Sequence, residues 1–329
     1  MGIRLNRTEQ ILKYADLSRT GIEVAPYFNP AVRKSDGYKI LTMDVFDTTA
    51  LRERALKDSL IPNERVEEIE EVDLVGDASQ IGELVAEAGL LGRVNYIVSS
   101  HNFEHLPNPI LFLQGACNAL EPGGVLSMAV PDCRACFDYF RMPTRLVDWL
   151  AAFHEDRRQP SPETLFETEA QNSSFIVDGK AITGCNISLD DPSAFKPNRR
   201  LLQAYESYKL HKTKPGEYHD AHCSVFFPES LELLLTDLRK LNLIDFDVLE
   251  ISETVGLEFF VHLRKPEHPS AIEDDAFYER RHDLLVRVSE NLGAAPYLRR
   301  PVIPNEIPKE SDISKLKRRL RRFWKRLKV

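Results

Sequence analysis

Short apolar runs of strand length alternate with segments of helical period over most of the first 130 residues. This alternation constrains the fold more than any other feature of the sequence. The runs are nearly continuous, which is typical of strands that are covered on both faces of a parallel sheet. They occupy residues 21–25, 38–44, 72–75, 94–99 and 125–130. The pattern predicts an α/β fold with a doubly wound, Rossmann-like sheet.

Predicted helices separate these runs, at residues 48–57, 80–89 and 109–120. The third helix is well delimited, because Asn108 is a favoured N-cap residue and Pro109 suits a first helical turn. The segment Pro122-Gly123-Gly124 is expected to end it.

The regular alternation stops in the second part of the chain. Residues 141–224 are polar and interrupted by prolines, which indicates an insertion or cap. An amphipathic helix is predicted from Pro228, followed by two strands at 245–251 and 257–263 with a hairpin connection. We therefore expect a seven-stranded sheet with an antiparallel last strand.

The predicted domain organisation has three parts. A catalytic domain covers residues 1–265 and contains the insertion, a helix and Pro-rich linker cover 266–310, and a basic tail covers 311–329.

Composition places the chain among ordinary globular proteins. It has 329 residues, of which 43% are hydrophobic and 29% charged, so collagen-like and wholly disordered classes are excluded. No apolar run approaches the roughly 18 residues of a membrane span, and the first residues contain no secretory signal. The 5 cysteines are odd in number and irregularly spaced, which favours a reducing compartment. We expect a cytoplasmic protein, with peripheral attachment to the inner membrane face through its tail.

The tail carries a charge opposite to that of the rest of the chain. Residues 311–329 contain nine Lys or Arg and one acid, and the whole chain has a net charge of -8, so residues 1–310 carry about −16. The apolar residues of the tail share one helical face: Ile313, Leu316, Leu320, Phe323, Trp324 and Leu327. A basic amphipathic helix of this kind predicts docking on an anionic membrane surface or a protein partner. Docking on the acidic body and contact with nucleic acid are alternatives, and the acidic body disfavours nucleic acid.

Polar residues follow the predicted strands at the points where ligands bind in open α/β sheets. Asp44 ends the second strand, Asp77 follows the third, and Ser99 to His101 follow the fourth. The two carboxylates can accept hydrogen bonds from a ribose diol and an adenine amino group. Alternatively, they are helix N-caps or solvated loop residues.

Residues 100–132 (SHNFEHLPNPILFLQGACNALEPGGVLSMAVPD) resemble class I S-adenosylmethionine-dependent methyltransferases. The similarity lies in an acid–His pair after the fourth strand, a Leu-x-Pro-Gly-Gly turn, and an apolar strand that ends in Pro-Asp. The segments GIEVAPYFNP, MDVFD and VGDA occur in the family's order, and the resemblance covers about residues 20–265. The chain most resembles the type 11-like subgroup, which occurs with bacterial cell-surface polysaccharide genes.

The resemblance implies S-adenosylmethionine as the cofactor. It implies that Glu23 occupies the acidic position of the first cofactor loop, that Asp44 binds the ribose and Asp77 the adenine, and that the backbone from Ser99 to His101 lines the methionine moiety. The cofactor-binding residues are therefore expected to be Glu23, Ala25, Asp44, Asp77, Ala78, Ser99 and His101.

The first loop departs from the family pattern. Ala25, Tyr27 and Asn29 stand where the family has glycines that let the backbone approach the cofactor. The sequence therefore predicts either a variant loop or a cofactor site that has decayed.

Glu104 and His105 are candidate catalytic residues, because some methyltransferases of this fold use an acid–His pair here as a base or as metal ligands. In the alternative, Glu104 caps the loop and His105 packs beneath it. His222 is the third candidate, since it lies in a Tyr218–Cys223 segment just before the final helix, where the family places acceptor-binding groups. Further metal ligands are not identifiable from the sequence, so no metal is predicted.

Two other motifs have competing interpretations. His101–His105 matches the H-x-x-E-H pattern of a zinc peptidase family, but that chemistry needs a helix. Pro107 and Pro109 disfavour a helix that extends beyond the motif. Cys133 and Cys136 form a single C-x-x-C at what looks like a helix start, and packed thiols are favoured over redox or zinc chemistry.

The resemblance implies O-methylation of a sugar or polysaccharide precursor, or of another small molecule. The alternative is a catalytically degenerate, cofactor-binding scaffold that docks a partner or membrane through its tail.

Overall fold

A computed structural model describes residues 6–58, 61–198, 201–213, 218–268 and 271–293 of the chain. One compact unit spans Met1–Ser289, and the second unit, Glu290–Val329, has only residues 290–293 described. The predicted tail helix at 311–329 lies outside the described residues. In the described ranges, no helix combines the length and apolarity needed to cross a membrane.

The strands, in chain order, are β1 (Gly21–Val24), β2 (Ile40–Asp44), β3 (Leu74–Val75), β4 (Val94–Ser100), β5 (Leu120–Pro131), β6 (Ser173–Val177), β7 (Lys180–Ile182), β8 (Phe195–Pro197), β9 (Asp247–Ile251) and β10 (Glu258–Arg264). The α-helices are α1 (Arg7–Ile11), α2 (Thr48–Lys57), α3 (Ile81–Glu87), α4 (Pro109–Ala119), α5 (Leu146–His154), α6 (Pro162–Gln171), α7 (Leu201–Thr213), α8 (Pro228–Lys240) and α9 (Asp274–Gly293).

The main sheet has seven strands in the order β3-β2-β1-β4-β5-β10-β9. The first five strands are parallel to their neighbours, whereas β10 is antiparallel to both β5 and β9. The predicted α/β fold, with a doubly wound seven-stranded sheet and an antiparallel last strand, is confirmed.

The fifth strand differs from its prediction. It begins at Leu120 rather than near residue 125, so the Pro-Gly-Gly segment lies within β5 and not outside it. Its first part is irregular, because its pairing with β4 shifts between Val94 and Tyr96 and Gly123 has a φ of 82°. Helix α4 ends at Ala119 because Leu120 is already extended.

Two glycines allow α3 and α4 to pack at close range on one face of the sheet. A Cβ atom on Gly115 would lie 2.6 Å from the backbone nitrogen of Gly82, a distance at which any side chain clashes. The surrounding core includes Ile97, Phe112 and Leu126, all fully buried. This core holds the strands in register, and their carboxyl ends therefore form a defined edge.

The insertion contains more regular structure than its polar composition indicates. It holds α5, α6 and α7 together with a separate sheet in the order β7-β6-β8. A small second core forms there, with Tyr139 stacked on Phe195 at a ring-centroid distance of 4.4 Å.

The predicted helix start at Cys133 and Cys136 is wrong, because this segment forms turns. Both thiols are buried, and burial raises their pKa values well above the usual range. These are the properties of packed thiols rather than reactive ones.

Candidate functional site

The loops that follow β1, β2, β3 and β4 meet at the carboxyl edge of the sheet. Strand β1 lies between β2 and β4, and β3 flanks β2. The structure therefore brings Glu23, Asp44, Asp77 and Ser99 to one side of the molecule, as the order of the motifs predicts. Ligand sites in open α/β sheets form at such an edge.

Glu23 holds the first loop through its backbone. The Glu23 side chain is buried, and its two carboxylate oxygens accept hydrogen bonds from the backbone N–H groups of Ala31 at 2.7 Å and Val32 at 3.1 Å. Burial outweighs these hydrogen bonds and raises the pKa of Glu23 to about 7. Both oxygens of Glu23 therefore contact the loop's own backbone.

The first loop has a left-handed backbone without glycines. Ala25 has a φ of 51° and Tyr27 a φ of 52°, a region that costs an L-residue about 1–2 kcal/mol. These are two of the positions at which the resemblance implies glycine. Asn29, the third, is not among the described residues with a positive φ. The loop therefore keeps a glycine-type conformation at two positions despite its side chains.

The next two acidic residues differ in burial and in hydrogen bonding. Asp44 is buried, and one of its oxygens accepts a hydrogen bond from the backbone N–H of Phe46 at 3.1 Å. Burial raises its pKa above the ordinary value. Asp77 is half-buried and caps the turn Ala78–Gln80 by accepting from the N–H of Ser79 at 2.7 Å. Ala78 packs against the main core.

Sequence reasoning missed Ser79, which lies beside Asp77. Its side chain is buried, and its hydroxyl has no hydrogen-bond partner. Unsatisfied buried hydroxyls are uncommon in folded proteins, and a bound polar group would explain this one. No motif marks this serine, because its burial depends on the packing of the turn Ala78–Gln80 against α4.

The segment after β4 is held by contacts from distant parts of the chain. Ser99 is fully buried, and His101 has a left-handed φ of 49°. The His101 Nε2 lies 2.8 Å from the Glu258 carboxylate, which also accepts a hydrogen bond from the Arg7 guanidinium at 2.8 Å. Burial opposes protonation of His101, but its contacts with Glu104 and Glu258 outweigh it and raise the pKa to about 9.

Glu104 is a buried acid with no hydrogen-bond partner. Only 1% of its side chain is exposed, and neither carboxylate oxygen accepts a hydrogen bond. Its Oε1 lies 3.6 Å from His101 Nδ1 and 3.9 Å from the Nε2 atoms of both His105 and His222. Three imidazoles therefore surround one buried carboxylate at distances longer than a hydrogen bond.

His105 and His222 are each oriented by a further carboxylate. His105 Nδ1 lies 2.9 Å from Asp220 Oδ1, and His222 Nδ1 lies 2.5 Å from Asp138 Oδ2. Burial opposes protonation of His105, but the contact with Asp220 outweighs it and raises the pKa. Burial also favours the neutral acid at Asp138, but the His222 contact and the Arg141 charge lower its pKa. Both rings consequently turn their Nε2 atoms towards Glu104.

Buried polar contacts hold the segment that carries His222. The Arg141 guanidinium donates to the His222 carbonyl oxygen at 2.9 Å and to Asp138 at 2.9 Å. The Trp149 indole N–H donates to the Ser224 hydroxyl at 2.9 Å, and the Ser224 backbone N–H donates to the Glu104 carbonyl oxygen at 3.1 Å. The structure thus brings together the three residues singled out as catalytic candidates.

Sequence reasoning missed Asp138, Asp220 and Arg141. Asp220 lies within the Tyr218–Cys223 segment that the sequence had already marked, so its spacing from His222 was an available signal. Asp138 and Arg141 have no such signal, because only the fold places them beside His222.

The zinc peptidase interpretation of His101–His105 is excluded by the backbone. His101 has a left-handed backbone, and within the motif only Phe103–His105 form a helical turn, which is a single 3₁₀ turn.

Asp132, at the end of β5, is buried and accepts hydrogen bonds from the Arg134 guanidinium at 2.6 Å and the Thr254 hydroxyl at 2.5 Å. Asp132 is therefore a structural group at this edge.

No protein-family model matches this sequence, and no curated protein matches it. Solved structures do resemble it. A SAM-dependent methyltransferase from Methanosarcina mazei is 14% identical with a TM-score of 0.39, covering 81% of this chain and 100% of its own. One from Aquifex aeolicus is 13% identical with a TM-score of 0.37, and the match covers 79% of this chain and 89% of the Aquifex chain. A glycopeptide N-methyltransferase complexed with sinefungin is 11% identical with a TM-score of 0.35, and the match covers 80% of this chain and 95% of the chain of that enzyme.

The fold class follows from the sheet itself. Five parallel strands, the order β3-β2-β1-β4-β5-β10-β9 and the antiparallel β10 form the sheet that the resemblance implies. The chain therefore has the fold of class I S-adenosylmethionine-dependent methyltransferases.

Proposed function

We propose that this protein is an S-adenosylmethionine-dependent methyltransferase that acts on a small-molecule acceptor. The observation that carries the proposal is the left-handed backbone at Ala25 and Tyr27, in a loop whose far end is held by hydrogen bonds from Ala31 and Val32 to Glu23. Backbone strain of this kind clusters at functional sites, so its presence at the carboxyl edge of the sheet indicates a functional role for the loop. This favours a variant cofactor loop over a decayed one.

The residues at the edge suit the parts of the cofactor. Asp44 is a buried acceptor at the end of β2 and fits the ribose diol. Asp77 and the unpaired Ser79 hydroxyl, with Ala78 between them, fit the adenine. The backbone from Ser99 to His101 fits the methionine moiety. In this assignment Glu23 and Ala25 shape the loop.

When bound, the cofactor supplies an electrophilic methyl group. The chain's own contribution is to position the acceptor and to exclude water, which provides much of the rate in a displacement of this kind. Glu104, His105 and His222 lie beside the methionine segment and are proposed as the groups that bind or deprotonate the acceptor. An imidazole suits proton removal from a hydroxyl near neutral pH.

We further propose a hydroxyl of a sugar or polysaccharide precursor as the acceptor. A cleft between α5 and α6 reaches Cys223, which follows His222 directly. The cleft is lined by charged groups that include Arg145, Asp148 and Arg157. Apolar side chains such as Trp149 line it as well, and a lining that combines polar and apolar groups suits a sugar, which has hydroxyl groups and an apolar ring face.

Calorimetric titration with S-adenosylmethionine tests the cofactor assignment. We expect one saturable site, and Asp44→Ala should weaken it by roughly 10–100-fold because a hydrogen bond to a charged group is worth about 1.5–3 kcal/mol. The exposed Asp36→Ala variant is the matched control and should bind as the wild type does. Absence of saturable heat at millimolar cofactor would refute the enzyme and favour a scaffold. Unchanged affinity in Asp44→Ala would refute the ribose assignment alone.

For the tail, we propose docking on an anionic membrane surface, because nine cations and the pair Phe323-Trp324 occur within residues 311–329. Trp favours the headgroup region, and each cation near an anionic leaflet contributes about 1 kcal/mol. The full chain should sediment with phosphatidylserine-containing vesicles, and a chain ending at residue 310 should not. Equal sedimentation of the two would contradict the proposal.

A further inference from the structure

Two of the imidazoles near Glu104, those of His105 and His222, each have a carboxylate on the opposite ring nitrogen. His222 Nδ1 lies 2.5 Å from Asp138 Oδ2, and His105 Nδ1 lies 2.9 Å from Asp220 Oδ1. A carboxylate at this distance accepts a hydrogen bond from the ring N–H, so in each neutral ring Nε2 carries the lone pair. Both Nε2 atoms lie 3.9 Å from Glu104 Oε1.

Two lone pairs and a carboxylate directed at one buried point repel each other unless a positive charge lies between them. The donor atoms of Glu104, His105 and His222 all lie within 4.8 Å of one another. Both oxygens of Glu104 are without a hydrogen-bond partner although the residue is buried. A proton on His101, protons on the rings of His105 and His222, or one divalent cation can supply such a charge.

We infer that Glu104, His105 and His222 bind one divalent transition-metal ion. Two imidazole nitrogens and one carboxylate suit Zn²⁺, Mn²⁺, Fe²⁺ or Co²⁺, whereas Mg²⁺ prefers ligand sets made of oxygen atoms. Metal-bound histidines usually donate the N–H of their other ring nitrogen to a carboxylate. Here the Nδ1 atoms of His105 and His222 lie beside the carboxylates of Asp220 and Asp138. The site therefore has inner ligands and the outer carboxylates that orient them.

The spacing requires only a small closure around the ion. Ligand bonds of about 2.1 Å place neighbouring donors roughly 3.3 Å apart in a tetrahedral site. The Nε2 atoms of His105 and His222 lie 3.9 Å from Glu104 Oε1. A movement of less than about 1 Å by each side chain closes the site.

Three protein ligands leave a coordination position for an exogenous group, which is the arrangement of catalytic rather than structural metal sites. Glu104 lies three residues after His101, the last residue of the proposed methionine segment, and 3.6 Å from its ring, so an acceptor hydroxyl in that position would be near the methyl donor. This role rests on the proposed function, whereas the metal site itself does not.

The test uses the full-length protein, treated with a chelator and then freed of it, with no S-adenosylmethionine present. Titration with Co²⁺, followed by visible absorption, should show one equivalent bound with ligand-field bands, and Zn²⁺ should compete for the same site. Zn²⁺ binding should release protons, since the ligands must be deprotonated. Calorimetry in buffers of different ionisation enthalpy measures that release. Equal affinity for Mg²⁺ would overturn the assignment to a transition metal.

Variants separate this site from adventitious binding. Glu104→Gln and His105→Gln should abolish the Co²⁺ bands, and Asp220→Asn should weaken binding by about 10–100-fold through loss of an outer carboxylate. Asp220 is an exposed side chain, so its substitution is the variant least able to disturb folding. His282→Gln removes an exposed histidine of α9 and is the matched control, expected to bind as the wild type does.

Failure of this inference is distinguishable from failure of the proposed function. Asp44→Ala should lose cofactor affinity and keep the Co²⁺ bands. The inference is overturned if no stoichiometric Co²⁺ or Zn²⁺ binding occurs at micromolar metal. It is also overturned if Glu104→Gln and Asp220→Asn bind the ion as tightly as the His282→Gln control.

Discussion

The carboxylate of Glu23 accepts a 2.7 Å hydrogen bond from the backbone N–H of Ala31, so an acid on β1 holds the far end of the loop that follows it. The adjacent N–H of Val32 donates to the other oxygen. Through these two bonds, a single buried side chain ties the end of the loop to the strand where it begins.

Glu23 should make stability depend on pH. Burial raises its pKa from 4.5 to about 7 in the folded protein, so the folded state binds the proton more tightly than the unfolded state. Its stabilising contribution is full below about pH 4.5 and is lost as the pH rises through about 7. The loss amounts to at most about 3 kcal/mol.

Urea unfolding of wild type and Glu23→Gln at pH 5 and pH 8 measures this contribution. The unfolding free energy of the wild type minus that of Glu23→Gln should be smaller at pH 8 than at pH 5. Parallel pH profiles would contradict the buried-acid assignment.

Ala25→Gly should be neutral or should stabilise the protein by up to about 1 kcal/mol. Glycine relieves a left-handed penalty of about 1–2 kcal/mol, and part of this gain is offset by the greater freedom of the unfolded chain. Ala86→Gly, at an exposed position of α3, is the matched control and should destabilise by about 1 kcal/mol. Equal destabilisation by both substitutions, in urea or thermal unfolding, would show that the loop is not strained.

Glu258→Gln should lower the pKa of His101 from about 9 towards the ordinary value, because it removes one of the carboxylates that hold the protonated ring. A raised histidine pKa stabilises the folded state below about pH 6.5 and ceases to do so as the pH passes about 9. Histidine ring signals in an NMR titration report the change. The exposed His282 signal should not move, and an unaltered His101 titration would refute the Glu258 contact.

Gly115→Ala should destabilise the protein although alanine is the better helix former. The new methyl group would meet the Gly82 backbone at 2.6 Å, and overpacking of this kind costs about 1–3 kcal/mol. The higher helix propensity of alanine relative to glycine offsets only about 1 kcal/mol of this cost. Asn118→Ala, exposed on the same helix, should be neutral or slightly stabilising in thermal unfolding. A Gly115→Ala protein as stable as that control would contradict the close approach of α3 and α4.

The fold class was predictable because alternating apolar runs and helical segments are a local property of the sequence. Asp44, Asp77 and Ser99 could be grouped in advance, since parallel strands bring their carboxyl ends to one edge whatever else the chain does. The internal structure of the insertion was less predictable. Its short strands β7 and β8 carry little periodicity, and tertiary packing around Tyr139 and Phe195 stabilises them.

The sequence by itself determined the sheet, and it also determined which acidic residues lie at the carboxyl edge, where open α/β sheets bind their ligands. Only the tertiary structure decided that His222 joins Glu104 and His105, and that Asp138 and Asp220 orient the two rings. It also decided that the loop at Ala25 takes a glycine-type backbone. The physical reason is that local pattern specifies strands and helices, whereas the contacts of buried polar groups depend on which distant segments the packed core brings together.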